Sequence, residues 1–194
     1  RPETRIVVCE PDNSQVLGSG IAQSRAEDGS PAGRHPVFRP HVVQGWDVML
    51  GKVPTGDRVA VISQEDYYQT PTVAEFLAAR GKQVEVFHKS VHLGTEIARY
   101  SIGMVLSRME QCGIQVHPNL VLKELWPDGL EFVSSWGGKT YRREGFDSVV
   151  LVYGSTPQHE LYDQLKAEGC IPQLYLAGSA WLPRFMAEAT RHGA

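Results

Sequence analysis

The sequence has few cysteines, and their spacing matches no metal or disulfide motif. Cys9, Cys112 and Cys170 are its three cysteines and lie far apart among 194 residues, so there is no C-x-x-C pair. This pattern predicts reduced thiols, a cytoplasmic protein and no metal site. Among the seven histidines, His35 and His41 are close, but they fall in a predicted loop without the pairing typical of metal ligands.

Long apolar runs and a strong net charge are also missing. No stretch approaches the roughly 18 apolar residues of a transmembrane helix, and residues 1–4 do not have the composition of a signal peptide. The net charge of −3 argues against nucleic acid or an anionic membrane as the main partner. Hydrophobic residues make up 42% and charged residues 21% of the chain, which is typical of a globular protein.

Glycine is missing from one loop where a nucleotide-binding protein needs it. Residues 56–89 predict a strand, a loop, a helix and a second strand, which is the βαβ unit of a parallel sheet. The first strand is apolar and β-branched, and the helix has apolar residues at helical spacing, namely Val73, Phe76 and Leu77. A dinucleotide fingerprint requires G-x-G-x-x-G after the first strand, yet residues 64–71 contain no glycine. The unit therefore predicts a nucleotide-binding fold with a degenerate glycine loop.

The remaining pattern predicts an α/β fold, a Rossmann-like parallel sheet with helices on both faces and a three-stranded antiparallel β-meander as a crossover. Strands are predicted at 5–9, 114–117, 120–126, 130–136, 139–143, 146–154 and 173–177. Helices are predicted at 46–50, 95–112, 160–168 and from about 183. Residues 18–40 predict an irregular loop rich in Gly, Ser and Pro. We therefore predict an N-terminal strand and irregular segment at 1–45 and a nucleotide-binding domain at 46–194.

Motifs over about three quarters of the chain carry a resemblance to a known family. They are Trp46-Asp47-Val48, Gly56-Asp57-Arg58-Val59-Ala60-Val61, Val84-Glu85-Val86, Asp147-Ser148-Val149-Val150-Leu151-Val152-Tyr153-Gly154 and Leu176-Ala177-Gly178-Ser179-Ala180. This set resembles the pyridine-nucleotide-binding region of flavoproteins with two dinucleotide domains. It is most similar to the C-terminal region of the trimethylamine/histamine dehydrogenase and 2,4-dienoyl-CoA reductase group. In the trimethylamine dehydrogenase branch this loop also lacks the glycine fingerprint.

The resemblance implies a nucleotide-binding domain of a flavin-dependent oxidoreductase of the amine dehydrogenase or enoate reductase type. The implied ligand is FAD, NAD(P)(H) or an ADP-type nucleotide, and the implied partner is the remainder of a flavin oxidoreductase or a partner subunit. The family's usual Gly-Asp is Gly178-Ser179 here. The candidate cofactor contacts are Ser63, Gln64, Glu65, His88, Lys89, Gly154, Gly178 and Ser179. No catalytic residue is identified, because no serine lies in G-x-S-x-G and His159 has no carboxylate partner evident from spacing.

Several alternatives stay open at this stage. The chain could be a non-catalytic Rossmann scaffold or interaction module. Val8-Cys9-Glu10-Pro11 and Arg39-Pro40-His41-x-x-Gln44-Gly45 also resemble a segment of cysteine-synthase-like pyridoxal-phosphate enzymes, which makes a related fragment a weaker alternative. The basic pair His88-Lys89 would suit a 2′-phosphate or would simply form solvated loop charges. Three aromatic residues would stack on a base or pack against the core, namely Tyr67, Tyr68 and Trp181.

Overall fold

The structure is a computed structural model and describes residues 4–7, 41–126, 129–183 and 190–191. These residues belong to two compact units. Residues 41–153 lie in the larger unit, and residues 4–7 belong with those from 154 onward in the smaller one. The predicted irregular loop at 18–40 and most of the predicted last helix lie outside the described residues. The predicted domain boundary at residue 45 stays a prediction.

The described elements follow the predicted order closely. They are β1 (Thr4–Val7), β2 (His41–Gln44), α1 (Gly45–Met49), β3 (Arg58–Ser63), α2 (Gln69–Ala78), β4 (Gln83–His88), α3 (Arg99–Gln111), β5 (Gln115–His117), β6 (Leu120–Trp126), β7 (Gly129–Ser134), β8 (Thr140–Glu144), β9 (Ser148–Val152), α4 (Glu160–Glu168) and β10 (Gln173–Leu176). A short 3-10 turn, Gly178–Ala180, follows β10. Among the described residues, no helix has both the length and the apolar character needed to cross a bilayer.

The larger unit contains a five-stranded sheet in the order β2-β9-β3-β4-β5, and all its strand pairs are parallel. Strands β6, β7 and β8 form an antiparallel meander. In the smaller unit, β1 pairs with β10 in parallel. The α/β fold with a parallel sheet, helices and a three-stranded antiparallel meander is therefore confirmed.

Alternation along the buried strands assigns the two faces of the five-stranded sheet. Val59 and Val61 of β3 pack with residues of α1, α2 and α3 on one face. Ala60 and Ile62 face the other way and pack with Phe132 of the meander. We expected helices on both faces. In the described part of the larger unit the meander covers the second face, because its apolar side chains fill that layer.

Candidate functional site

The candidate site lies at the carboxyl edge of the parallel sheet, where β3 and β4 end. Strand register places Ser63, the last residue of β3, opposite His88, the last residue of β4. Both side chains lie on the helical face of the sheet, since they follow Val61 and Val86 by two positions on their strands. Helix α2 begins after loop 64–68 and brings Thr70 to the same place. Open α/β sheets bind ligands at this edge.

A chain of hydrogen bonds fills the space between these elements. The hydroxyl oxygens of Ser63 and Thr70 are 2.7 Å apart. His88 Nδ1 lies 3.0 Å from Ser63 Oγ, and His88 Nε2 lies 3.0 Å from Asp66 Oδ1. Ser63, Thr70 and His88 are all buried, at 1%, 0% and 0% exposure. The network therefore joins β3, β4, α2 and the loop that replaces the glycine fingerprint.

The burial of His88 sets the direction of the hydrogen bonds. Burial lowers the pKa of His88, although the neighbouring Asp66 carboxylate opposes this shift. A neutral imidazole has one donor and one acceptor, and the carboxylate of Asp66 only accepts. Nε2–H therefore donates to Asp66, Nδ1 accepts the Ser63 hydroxyl proton, and Thr70 donates its own to Ser63. Each of the three buried side chains has a partner without any bound ligand.

The charged side chains of the loop are mainly acidic. Burial raises the pKa of Glu65, Lys89 lowers it, and the charge of Asp66 raises it further. Asp66 is 21% exposed and already accepts from His88. A phosphate placed over this loop would meet two carboxylates and one lysine.

At the crevice between β3 and β9, where the strand order reverses, the pairing of the two strands continues one residue beyond β3. The backbone N–H of Gln64 donates to the Val152 carbonyl at 2.9 Å. Burial raises the pKa of Tyr153, and a side-chain hydrogen bond with Gln64 opposes this shift. Two buried amide atoms near this edge, Gln44 Nε2 and Gln69 Oε1, have no hydrogen-bond partner among the described residues.

These contacts weigh against a cofactor pyrophosphate at the loop. A pyrophosphate site needs glycines for close backbone approach and free N–H groups at the helix N-terminus. Here the Gln64 N–H donates to the Val152 carbonyl and the Thr72 N–H to the Tyr68 carbonyl, and Pro71 has no N–H. Glu65 and Asp66 add repulsion. We therefore derive no chemical step through a dinucleotide at this position.

The structure brings five of the eight predicted contacts to one edge, namely Ser63, Gln64, Glu65, His88 and Lys89. One part of the sequence interpretation needs correction. His88 is fully buried and hydrogen-bonded on both nitrogens, so it is not a solvated loop charge, and only Lys89 of the basic pair remains for an anion. The sequence also showed no serine–histidine pair, whereas Ser63 and His88 form one. No signal in either strand alone gives this pair, because it depends on the register of β3 against β4.

The other predicted contacts belong to the smaller unit. Gly154, Gly178 and Ser179 belong to the smaller unit, where Gly154 and Gly178 have φ of 99° and 66°. The rings of Tyr67 and Tyr68 meet edge to face at 4.6 Å and pack against the core. In the part of the chain that the structure describes, no group of three His, Cys, Asp or Glu side chains could hold a metal ion.

No protein-family model matches the chain. It is 27% identical over 177 residues to a dimethylamine dehydrogenase from Hyphomicrobium sp. (strain x), covering 79% of this chain and 24% of the relative. It is 27% identical over 129 residues to a probable N-methylproline demethylase from Rhizobium meliloti (strain 1021), covering 64% of this chain and 19% of the relative. The chain thus spans a quarter or less of the length of these relatives.

Solved structures of an amine oxidase and a reductase also resemble this chain. An amine oxidase for 6-hydroxypseudooxynicotine from Pseudomonas geniculata N1 has a TM-score of 0.72 at 25% identity, covering 79% of this chain and 24% of that one. A 2-naphthoyl-CoA reductase in complex with 2-naphthoyl-CoA has a TM-score of 0.67 at 27% identity, covering 78% of this chain and 22% of that one. The family resemblance inferred from the motifs is confirmed. The chain is a distant homologue of the FAD/NAD(P)-binding region of trimethylamine-dehydrogenase-like flavoenzymes.

Proposed function

We propose that this chain is the nucleotide-binding domain of a flavin-dependent oxidoreductase of the amine dehydrogenase or enoate reductase type, and that it works as part of a larger enzyme. The parallel sheet and the named dehydrogenase and reductase relatives support the reaction class. The small share of each relative that the chain spans supports a domain of a larger protein. In such an enzyme a flavin supplies the hydride chemistry, and we assign no catalytic residue to this chain.

The hydrogen-bond network at this loop is the observation on which the rest of the proposal rests. Because Ser63, Thr70, His88 and Asp66 satisfy one another, the diphosphate half of a nucleotide gains nothing there. The end of β4 differs, since Lys89 is partly exposed and carries a positive charge. We therefore propose that the domain holds an adenine nucleotide weakly through its adenosine end. Gln64 and Glu65 are the proposed contacts at this edge. Gly154, Gly178 and Ser179 remain separate candidates for a cofactor contact within the smaller unit.

Calorimetric titration of the purified chain with FAD, ADP, NADH and NADPH tests this proposal. We expect all four to bind with a Kd on the order of 1 mM, about −4 kcal/mol, because only their common adenosine end is held. Absence of heat for all four at millimolar concentration would overturn nucleotide binding. Micromolar affinity for an intact dinucleotide would instead contradict the claim that its diphosphate half gains no binding energy at the loop.

Two charge variants test, in the same titration, where the ligand binds. Glu65→Gln removes a carboxylate beside Lys89 and should strengthen ADP binding by about fivefold, the equivalent of roughly 1 kcal/mol. The matched control is Glu75→Gln on α2, where the carboxylate pairs with Arg108, and it should leave the ADP affinity unchanged. Equal effects of the two variants would argue against a ligand near Glu65.

A non-catalytic scaffold is the second candidate, and the same hydrogen-bond network favours it. Ser63, Thr70 and His88 are hydrogen-bonded within the chain, so these three side chains need no nucleotide to fold. The scaffold predicts that millimolar ADP leaves the Tm of the chain unchanged, since a ligand that binds the folded state raises Tm by mass action. A reproducible rise in Tm with ADP would exclude this candidate.

A further inference from the structure

Helix α3 has an uncharged stripe on the side that faces solvent. Val105 and Met109 are its buried residues, and they pack into the core beneath it. On the opposite side, about 3.6 residues per turn bring five exposed residues within roughly 100° of the helix circumference. They are Tyr100, Gly103, Met104, Ser107 and Gln111. The exposed side of an amphipathic helix normally carries charged residues, so this uncharged stripe is not typical of a surface that meets only water.

The two large side chains of the uncharged stripe are strongly exposed. Tyr100 is 86% and Met104 is 61% exposed, and the two lie one turn apart on the same side of α3. Removing them from water would be favourable, yet no described residue covers them. Neighbouring exposed apolar side chains of this kind are typical of a surface that binds another protein.

Gly103 has no function within the chain that would explain a glycine in the middle of α3. Glycine is a poor helix former. A Cβ at this position would meet nothing within 4 Å, and the φ of Gly103 is not positive, so neither packing nor backbone conformation requires glycine. Gly103 and Ser107 lie one turn apart and form the low part of the stripe. Such small residues allow another helix to approach closely.

The charges that flank the uncharged stripe favour a second copy of this chain as its partner. Arg99 at the start of α3 and Glu110 near its end are exposed and lie on the same flank, about three turns apart. Neither has an ion-pair partner among the described residues, whereas Arg108 on the other flank pairs with Glu75. When two such helices pack antiparallel about a two-fold axis, Arg99 of each copy meets Glu110 of the other. The flank is therefore complementary to itself.

We propose that α3 binds α3 of a second copy of this chain, antiparallel and through the uncharged stripe. With the two ion pairs in place, Tyr100 lies beside Ser107 of the second copy, and Met104 lies beside Gly103 of the second copy. The large side chains of each copy thus meet the small residues of the other. A contact between two helices of 13 residues buries less than the roughly 1,200–2,000 Å² of a stable interface, so the dimer is weak. This contact does not depend on nucleotide binding and goes beyond the proposed function.

Sedimentation velocity of the full chain tests the contact. Wild type should change from monomer to dimer with a Kd on the order of 100 μM. Met104→Lys should weaken association at least about tenfold, because it brings two ammonium groups together near the two-fold axis. Leu50→Lys at the end of α1 is the matched control, since Leu50 is 64% exposed, and it should leave the Kd unchanged. Circular dichroism confirms that both variants fold.

Two charge reversals distinguish a second copy from any other partner. Arg99→Glu and Glu110→Arg should each weaken association about fivefold, because like charges then meet across the axis. An equimolar mixture of the two variants should associate at least as well as wild type, since every ion pair then joins opposite charges. The double reversal in one chain should do the same.

Three results would each overturn the contact. The first is a wild-type chain that stays monomeric up to millimolar concentration. The second is association that Met104→Lys does not weaken. The third is a mixture of Arg99→Glu and Glu110→Arg that associates no better than either variant alone.

Discussion

His88 has a hydroxyl on one side of its ring and a carboxylate on the other, and both groups influence whether the imidazole is protonated. The Ser63 hydroxyl lies 3.2 Å from the Glu65 carbonyl as well as 3.0 Å from His88 Nδ1. When His88 takes up a proton, Nδ1–H donates to Ser63, and the serine proton turns to Glu65. His88 therefore keeps both hydrogen bonds on protonation, and only its bond with Ser63 changes direction. The remaining cost in free energy is that of placing a positive charge in a buried position.

This cost predicts a pH dependence of stability. The folded pKa of His88 lies below its ordinary value of 6.5 because of burial, with Asp66 opposing and Lys89 adding to the shift. The unfolded chain therefore binds the proton more readily, so the contribution of neutral His88 is complete above about pH 6.5 and is lost as the pH falls toward the folded pKa. Urea unfolding from pH 8 to pH 5 should show this decline in the free energy of unfolding.

Two histidine variants assign the decline to His88. His88→Gln should lower the free energy of unfolding at pH 7.5 by about 1–3 kcal/mol, because it disrupts the bonds of Ser63 and Asp66, and it should flatten the pH dependence. His92→Gln, in an exposed position, should retain the wild-type slope. The same slope in wild type and His88→Gln would refute this origin.

At the scale of elements, hydrogen bonds from backbone N–H groups to side chains join the amino end of β3 to the start of β9. Asp147 Oδ2 accepts from the N–H groups of Asp57 and Arg58 at 2.9 and 2.8 Å. Ser148 Oγ accepts from the Gly56 N–H at 2.9 Å. A Cβ on Gly56 would lie 2.2 Å from Asp147 Cβ, so only glycine leaves room for this junction.

Gly56→Ala should therefore destabilise the chain by about 1–3 kcal/mol through overpacking. Gly103→Ala is the matched control, because its Cβ meets nothing within 4 Å in the middle of α3. It should stabilise the chain by about 0.5–1 kcal/mol by favouring the helix. Thermal and urea unfolding measure both, and a neutral Gly56→Ala would show that β9 moves away at little cost.

An aromatic stack forms part of the contact between the parallel sheet and the meander. The rings of Phe87 and Phe132 lie 4.2 Å apart at 17°, and both are fully buried. Phe132→Ala should lower the free energy of unfolding by about 3–5 kcal/mol. A double-mutant cycle with Phe87→Leu and Phe132→Leu should give a coupling of about 0.5–1.5 kcal/mol, and additive effects would mean that the stack itself contributes nothing.

Periodic elements were predictable from sequence, and contacts between elements were not. Helix α4 spans residues 160–168 and β6 spans 120–126, as the spacing of their apolar residues predicts. The His88–Asp66 contact joins residues 22 apart and follows only from the register of β3 against β4, which a single strand does not encode. The hydrogen bond from Ser135 Oγ to the Lys89 carbonyl likewise depends on how the meander folds back over the sheet.

At the scale of the whole molecule, the clusters of buried apolar side chains among the described residues lie in the larger unit, although Ala177 and Ala180 of the smaller unit are also buried. Both core clusters consist of residues between Val43 and Val152. The smaller unit has a two-stranded sheet, and α4 has no buried residue. Two strands alone are marginally stable in water, so we expect the two units to differ in local stability.

Hydrogen exchange should show this difference directly. The amides of β3 and β9, at the centre of the five-stranded sheet, open only when the core opens, whereas those of β10 and α4 open through local fluctuations that expose little apolar surface. Exchange followed by mass spectrometry at neutral pH should therefore show β10 and α4 exchanging well before β3 and β9. Strand β5 is an internal control, because it lies at the sheet edge yet borders the same core, and its exchange should be intermediate. Equal protection of β10 and β3 would mean that the smaller unit gains its stability from contacts as extensive as those of the core.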